Sequence, residues 1–174
     1  MNEQEKFEKL KTSGKNFVVL EGAKKILISA PHSVEQIRNG KIKYAEPETA
    51  LVALHLNELG YPCFIKTKNE NDDANFDSKS KYRDSLINYC LKNDIKFVLD
   101  LHQLSDKREM DFCLGTGGKT HKNLLENLKI IDIFKFYFEK ENYVFKINDP
   151  FDADAPNTVS TNCAKNQIPS FCLK

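Results

Sequence analysis

Short, continuous apolar runs alternate along the chain with longer segments in which apolar residues recur at helical spacing. The runs Phe17–Leu20, Ile26–Ala30 and 95–101 are typical of strands, and the last is the best candidate for a central strand buried on both faces. Helices are predicted over 47–60, with Pro47 in the first turn, and over 80–92. This alternation predicts a three-layer α/β/α fold with a mixed, largely parallel central sheet.

Turn residues and the remaining apolar patterns complete the expected order of elements. The turn 21–24 between the first two runs predicts a β-hairpin, and Asn39-Gly40 predicts a turn within a loop over 33–45. The other predicted elements are a charged helix or arm over 1–15, short strands at 63–65 and 112–114, a loop over 69–77, a helix over 124–139, a strand over 143–147, a helix over 158–166 and a last strand from about Ile168.

Composition narrows the class of protein. The 174 residues suit one domain, and 26 basic against 25 acidic residues leave no overall field that would attract nucleic acid or an anionic membrane. A charged N-terminus without a signal peptide, and no apolar run long enough to span a bilayer, indicate a cytoplasmic protein. Five cysteines without a paired spacing are expected to be reduced and mostly buried.

Two histidines follow predicted buried strands. His32 comes just after Ile26–Ala30 and Pro31, and His102 closes the run 95–101. Open α/β sheets bind their ligands at the carboxyl ends of the strands, so the two rings are expected to share a metal site. Taken singly, a histidine at such a position is more often a hydrogen-bonded structural residue than a ligand. His55 and His121 have no evident partner in the sequence.

A catalytic zinc ion commonly takes two histidines and a carboxylate and keeps one position open for water. Glu35, Glu46 and Glu48 are the available carboxylates, and Glu46 and Glu48 are also explained as acids at a helix start. Asp100 lies two residues before His102 and therefore points to the same side of the strand. It can accept the second imidazole N–H and orient the ring, or simply cap the strand end.

Arg38 and the segment 115–120 are further candidates for ligand binding. Arg38 is the one arginine in the loop 33–45, and its guanidinium group suits a substrate carboxylate, although most lone arginines are merely solvated. The segment 115–120 looks like a phosphate-binding loop, but the first glycine of that spacing would fall at Cys113. Nucleotide hydrolysis is therefore rejected, and the segment is predicted to be a flexible loop.

Three segments together resemble the N-formylglutamate amidohydrolase family: the Pro-His-Ser of 31–33, the Asp-x-Asn of 73–75 and the Asp-Leu-His of 100–102. The stretch Gly-Lys-Ile-Lys at 40–43, with Glu46 and Thr49, is similar to a clostridial-type subset. The resemblance implies a zinc-carboxypeptidase- or aspartoacylase-like fold and a zinc-dependent amidohydrolase acting on a small N-acylated (N-formyl) amino acid. It implies the zinc ligands His32, Glu46 and His102, Asp100 as their orienting partner, and Arg38 with Asn75 as the substrate-binding residues.

The chain departs from that family at two positions. Phe76 stands where the family often has an arginine that binds the substrate carboxylate, so Arg38 or Arg83 would have to compensate. Lys174 aligns with the general-base glutamate of the family, which implies a single domain over 1–174 that lacks the family's C-terminal end or has lost its base. Asp152 or Asp154 is the alternative base. The other interpretations are a non-catalytic member of the fold that binds a metal or ligand, and an α/β binding module without metal.

Overall fold

The computed structural model describes residues 1–174 and has five α-helices and nine strands. The helices are α1 (Glu3–Lys11), α2 (Pro47–Glu58), α3 (Lys81–Lys92), α4 (Lys129–Lys140) and α5 (Val159–Lys165). The strands are β1 (Phe17–Leu20), β2 (Ile26–Ala30), β3 (Gln36–Arg38), β4 (Lys41–Lys43), β5 (Cys63–Lys66), β6 (Phe97–Leu101), β7 (Phe112–Gly115), β8 (Phe145–Ile147) and β9 (Ser170–Leu173). None of the helices has the length and apolar character that crossing a lipid bilayer requires.

Seven strands form one mixed sheet in the order β1-β5-β2-β6-β9-β7-β8. The four strands in the middle, from β5 to β9, are parallel to one another, as are β7 and β8. β1 is antiparallel to β5, and β7 is antiparallel to β9. The prediction of an α/β fold with a mixed, mostly parallel sheet is confirmed, and so is the central position of β6.

The predicted hairpin between β1 and β2 is wrong, because β5 lies between them. Phe64 of β5 pairs with Val19 on one side and with Ser29 on the other. All four residues of β5 are buried, so this strand is stabilised most where both of its edges are hydrogen-bonded. This long-range burial outweighs the local turn at 21–24, which instead connects two non-adjacent strands.

The start of each helix agrees with the local sequence, with one exception. Ser80 and Thr158 cap α3 and α5 by accepting hydrogen bonds from the backbone N–H groups of Arg83 (3.2 Å) and Thr161 (3.1 Å). α4 begins later than predicted, since residues 122–124 form a 3₁₀ helix and Leu125 has a φ of 54°. An α-helix requires a negative φ at each residue, so a continuous helix cannot run through Leu125.

The predicted loop over 33–45 contains two short strands that the sequence pattern did not indicate. β3 and β4 pair antiparallel, and the turn between them has positive φ at both Asn39 (51°) and Gly40 (73°). Two residues at positive φ are typical of the type I′ hairpin turn, which confirms the predicted turn. The hairpin fixes the position of Arg38, which is the last residue of β3.

Buried side chains form three apolar clusters around the sheet. Leu27 packs with residues of α3 and α5, whereas its neighbour Ile28 packs with residues of α1 and α2. Neighbours in a strand point to opposite sides of the sheet, so the two clusters cover different faces. A third, smaller cluster around Phe97, Leu114 and Phe171 lies under α4. The clusters fix the parallel strands whose carboxyl ends carry the histidines.

Candidate metal centre

His32, Glu46 and His102 meet at the carboxyl edge of the sheet. β2 and β6 are adjacent and parallel, with Ser29 paired to Asp100, so the histidines that follow the two strands lie side by side. Glu46 precedes the first turn of α2, and its backbone N–H donates to the carbonyl of His32 at 2.8 Å. All three side chains are buried.

The three side chains direct one atom each to a common point. The Nδ1 atoms of His32 and His102 are 3.0 Å apart. Glu46 Oε2 lies 3.1 Å from Nδ1 of His102 and 3.6 Å from Nδ1 of His32. These are the atoms of a potential metal-binding group.

The opposite nitrogen of each ring faces a buried carboxylate. Nε2 of His32 lies 2.9 Å from Asp73 Oδ1, and Nε2 of His102 lies 3.0 Å from Asp100 Oδ2. An ionised carboxylate only accepts hydrogen bonds, so it would hold a proton on Nε2 of its ring, and the Nδ1 lone pair of that ring would then point toward the common point. Two lone pairs and a carboxylate oxygen at about 3 Å repel one another unless a cation lies between them.

Charge in the centre is consistent with either a proton or a metal ion at that point. Burial lowers the pKa of His32, so this ring is neutral. Burial also opposes a charge on His102, but charge interactions with Cys172 and Asp100, and the hydrogen bond to Asp100, raise its pKa well above the usual value. Burial would raise the pKa of Glu46, yet its hydrogen bonds to the two histidines hold that pKa far below the usual value. One proton shared among the three atoms therefore satisfies the metal-free centre, and a metal ion must displace it.

The dimensions and chemistry of the donor set fit zinc. Bonds of about 2.0–2.1 Å in a tetrahedral arrangement hold neighbouring ligand atoms about 3.3 Å apart. The observed separations, from 3.0 to 3.6 Å, lie around that value. Two imidazoles and a carboxylate also suit other divalent transition metals, and they leave a coordination position for water or substrate.

A hydrogen-bond network holds the ring of His102 in place. Asp100 accepts a hydrogen bond from Ser29 Oγ at 2.7 Å and one from Asn75 Nδ2 at 3.1 Å. Nδ2 of Asn75 also lies 2.9 Å from Nε2 of His102, and its Oδ1 accepts the backbone N–H of Val159. Asp100 thus occupies the orienting position expected from the sequence. Asn75, expected to bind substrate, is engaged with these neighbours, and its substrate contact stays a prediction.

Two residues in the centre were not singled out from the sequence. Asp73, which is 1% exposed, orients His32 and accepts a hydrogen bond from Arg38 Nε at 2.6 Å. Lys43 Nζ lies 2.6 Å from Glu46 Oε1. The need of His32 for a carboxylate partner was a signal for Asp73, but Glu48, Glu58, Glu70, Asp72 and Asp77 offered the same chemistry.

The two arginines expected to bind substrate have different surroundings. Arg38 faces the centre, with its guanidinium group 5.2 Å from the ring centre of Phe76 and its side chain 31% exposed. Arg83 is buried and donates hydrogen bonds to four backbone carbonyls, those of Ala74, Asp77, Ser78 and Asn157. Arg83 is therefore not free to bind a substrate, and the expectation that it could compensate is wrong.

A cavity of about 230 Å³ opens beside the two histidines. Arg38 and Lys43 lie on one part of its wall, and residues 150–155 and Lys174 form another. The Lys174 ammonium group lies 4.7 Å from the ring centre of Phe151. The volume suits a small molecule, and the wall carries both cationic side chains and the acidic side chains of Asp152 and Asp154.

The other candidate residues lie away from the centre. Glu35 and Glu48 are exposed, and neither belongs to the group formed by His32, Glu46 and His102. His55 lies at the surface near Glu3. His121 Nδ1 lies 2.7 Å from Thr116 Oγ1, within the segment 115–120, and two N–H groups of that segment donate to the carbonyl of Asp152. This segment contacts residue 152 of the cavity wall and does not itself line the cavity.

Comparison of the chain with family models, curated proteins and solved structures gives no match. The function is therefore argued from the residues of the centre and its cavity.

Proposed function

We propose that this protein is a zinc-dependent amidohydrolase that cleaves the amide of a small N-acylated amino acid, with N-formyl amino acids as the first substrates to test. The observation that carries the proposal is the convergence of two imidazole lone pairs and the Glu46 carboxylate on one buried point. The helices packed against both faces of the sheet support a three-layer fold of the zinc-carboxypeptidase kind. The motifs at 31–33, 73–75 and 100–102 support the likeness to N-formylglutamate amidohydrolases.

Bound zinc would polarise the substrate carbonyl and lower the pKa of a bound water toward about 7. The protein residues prepare the centre for this ion. Asp73 and Asp100 hold the Nε2 protons of His32 and His102, so both Nδ1 atoms stay available as ligands. Glu46 supplies one negative charge, which lowers the net charge of the metal centre.

Charged side chains around the cavity support an anionic substrate. Arg38 binds Asp73 through Nε and places Nη2 3.2 Å from Nε2 of His32, so Nη1 remains for a carboxylate. The contact of Arg38 with Phe76 restricts the guanidinium group to the cavity wall. Lys174 adds a second cation to the same wall. An N-formyl amino acid carries the carboxylate and the amide that this arrangement requires, and it is small enough for about 230 Å³.

A lysine, Lys174, stands where the similar family has its general-base glutamate. Lys174 lines the cavity at the position aligned with the glutamate of the resembled family, and an ammonium group cannot take a proton from water. Asp152 and Asp154 line the same cavity, and Asp154 pairs with Lys122, so Asp152 is the freer carboxylate. General-base catalysis contributes about 10²–10⁴-fold, so we expect hydrolysis to be at least ~100-fold slower than in a relative that has the base.

The test combines metal analysis with turnover. Protein purified without chelator is assayed for zinc by mass spectrometry and for release of formate from N-formylglutamate, before and after dialysis against a chelator. About one equivalent of zinc and a turnover that is lost with the metal and regained with added zinc are expected. Zinc binding without any turnover would support the second candidate, a non-catalytic metal-binding member of this fold, which Lys174 favours. No metal binding would contradict both.

A further inference from the structure

Helix α4 has apolar side chains on both of its faces. Its inner face packs Ile130, Ile131, Phe134 and Phe138 against the cluster around Phe97, Leu114 and Phe171. Its outer face carries Ile133, Phe136 and Tyr137, which are 53%, 61% and 57% exposed. A surface helix normally turns polar residues outward, so three large apolar groups at i, i+3 and i+4 form an unusual exposed patch.

The exposed patch is preorganised and extends beyond the helix. The rings of Phe136 and Tyr137 are in edge-to-face contact, with their centres 5.3 Å apart. Tyr143 and Val144, which follow the helix, are also about half exposed. Rigid aromatic groups of this kind lose little conformational entropy when a partner covers them.

The charges around Phe136 are arranged to match a reversed copy of the same helix. Asp132 lies one turn before Phe136 and Lys140 one turn after it, on the same line along the helix. Neither residue forms an ion pair within the chain. When two such helices run antiparallel and cross at Phe136, the Asp132 of each faces the Lys140 of the other. The neighbouring edge strand β8 carries the exposed Lys146, which disfavours pairing through strand edges.

We propose that α4 is a self-association surface, on which a second copy of this chain docks antiparallel about a two-fold axis at Phe136. The interface is isologous, so each favourable contact occurs twice. A pair of helices about 18 Å long buries less than the ~800 Å² per partner of a standard interface, so the dimer is weak and concentration-dependent. This association is independent of the metal centre.

Sedimentation equilibrium over a concentration series up to about 500 µM tests the proposal, since weak dimers form only at high concentration. The weight-average mass should rise from the 20.0 kDa of one chain toward twice that value. Phe136→Gln should keep the mass at that of one chain. Leu91→Gln is the matched control, because Leu91 is 58% exposed on α3 and lies outside the patch; it should associate like the unaltered chain.

Charge reversal tests the antiparallel register. Asp132→Lys and Lys140→Asp should each weaken association at least tenfold, because like charges then face each other twice. The double variant, Asp132→Lys with Lys140→Asp, should restore it. The four substituted positions, 91, 132, 136 and 140, are all exposed, so the variants should leave the core intact. Circular dichroism checks that the fold is kept. A monomer at every concentration, association that survives Phe136→Gln, or a double variant without restored association would each overturn the proposal.

Discussion

Replacing Glu46 by glutamine is the sharpest test of the metal centre. The replacement keeps the size and shape of the side chain but removes its charge and converts one acceptor oxygen into an NH₂ donor. Glu46 uses both oxygens: Oε1 lies 2.6 Å from Lys43 Nζ, and Oε2 faces Nδ1 of His102 and accepts the backbone N–H of Gln103 at 3.2 Å. In either orientation, the new NH₂ group of glutamine opposes a donor, Lys43 or the N–H of Gln103.

The expected loss of metal affinity follows from these contacts. Changing a residue that only orients a metal ligand typically costs 10–100-fold in affinity. Glu46 is a proposed ligand and carries the only negative charge among the three, so its loss should cost at least ~100-fold, or about 2.7 kcal/mol. The two histidines remain, so weak binding should persist.

Competition with a chromophoric zinc chelator measures the affinity, and circular dichroism checks that the fold is kept. Glu48→Gln and Glu35→Gln are the controls, because both remove an exposed carboxylate close to Glu46 in the sequence. Both should bind zinc like the unaltered chain. Equal affinity of Glu46→Gln and the unaltered chain, or a loss in Glu35→Gln instead, would refute the assignment of the third ligand.

Three further predictions concern the surroundings of the centre. Asp73→Asn should weaken zinc binding by about 10–100-fold while the helical circular dichroism is unchanged, because the amide no longer fixes the proton of His32. Arg83→Met should lower the free energy of unfolding in urea by about 3 kcal/mol, because four backbone carbonyls, one of them buried, lose a charged donor; an unchanged midpoint would contradict this. Lys174→Glu should raise zinc-dependent formate release at least ~10-fold, and no gain would exclude a base at this position.

The sequence by itself predicted most of the local elements and the position of the two histidines. Continuous apolar runs favour strands, and a histidine directly after a strand that is buried on both faces lies at the carboxyl edge of the sheet. Pro47 fixed the start of α2, which brings Glu46 to the same edge. These are short-range consequences of burial and backbone geometry, so they could be predicted without knowledge of strand order.

Only the tertiary structure decided which distant residues meet. The insertion of β5 between β1 and β2 depends on burying both edges of one strand, which no turn signal encodes. Asp73 is the carboxylate that meets His32, and Arg83 is the arginine that donates to backbone carbonyls. Both outcomes depend on how the loop after β5 packs against β2 and α5. Residues of the same chemistry recur many times in this chain. Their spacing in the sequence does not determine which of them meet, so long-range packing decides.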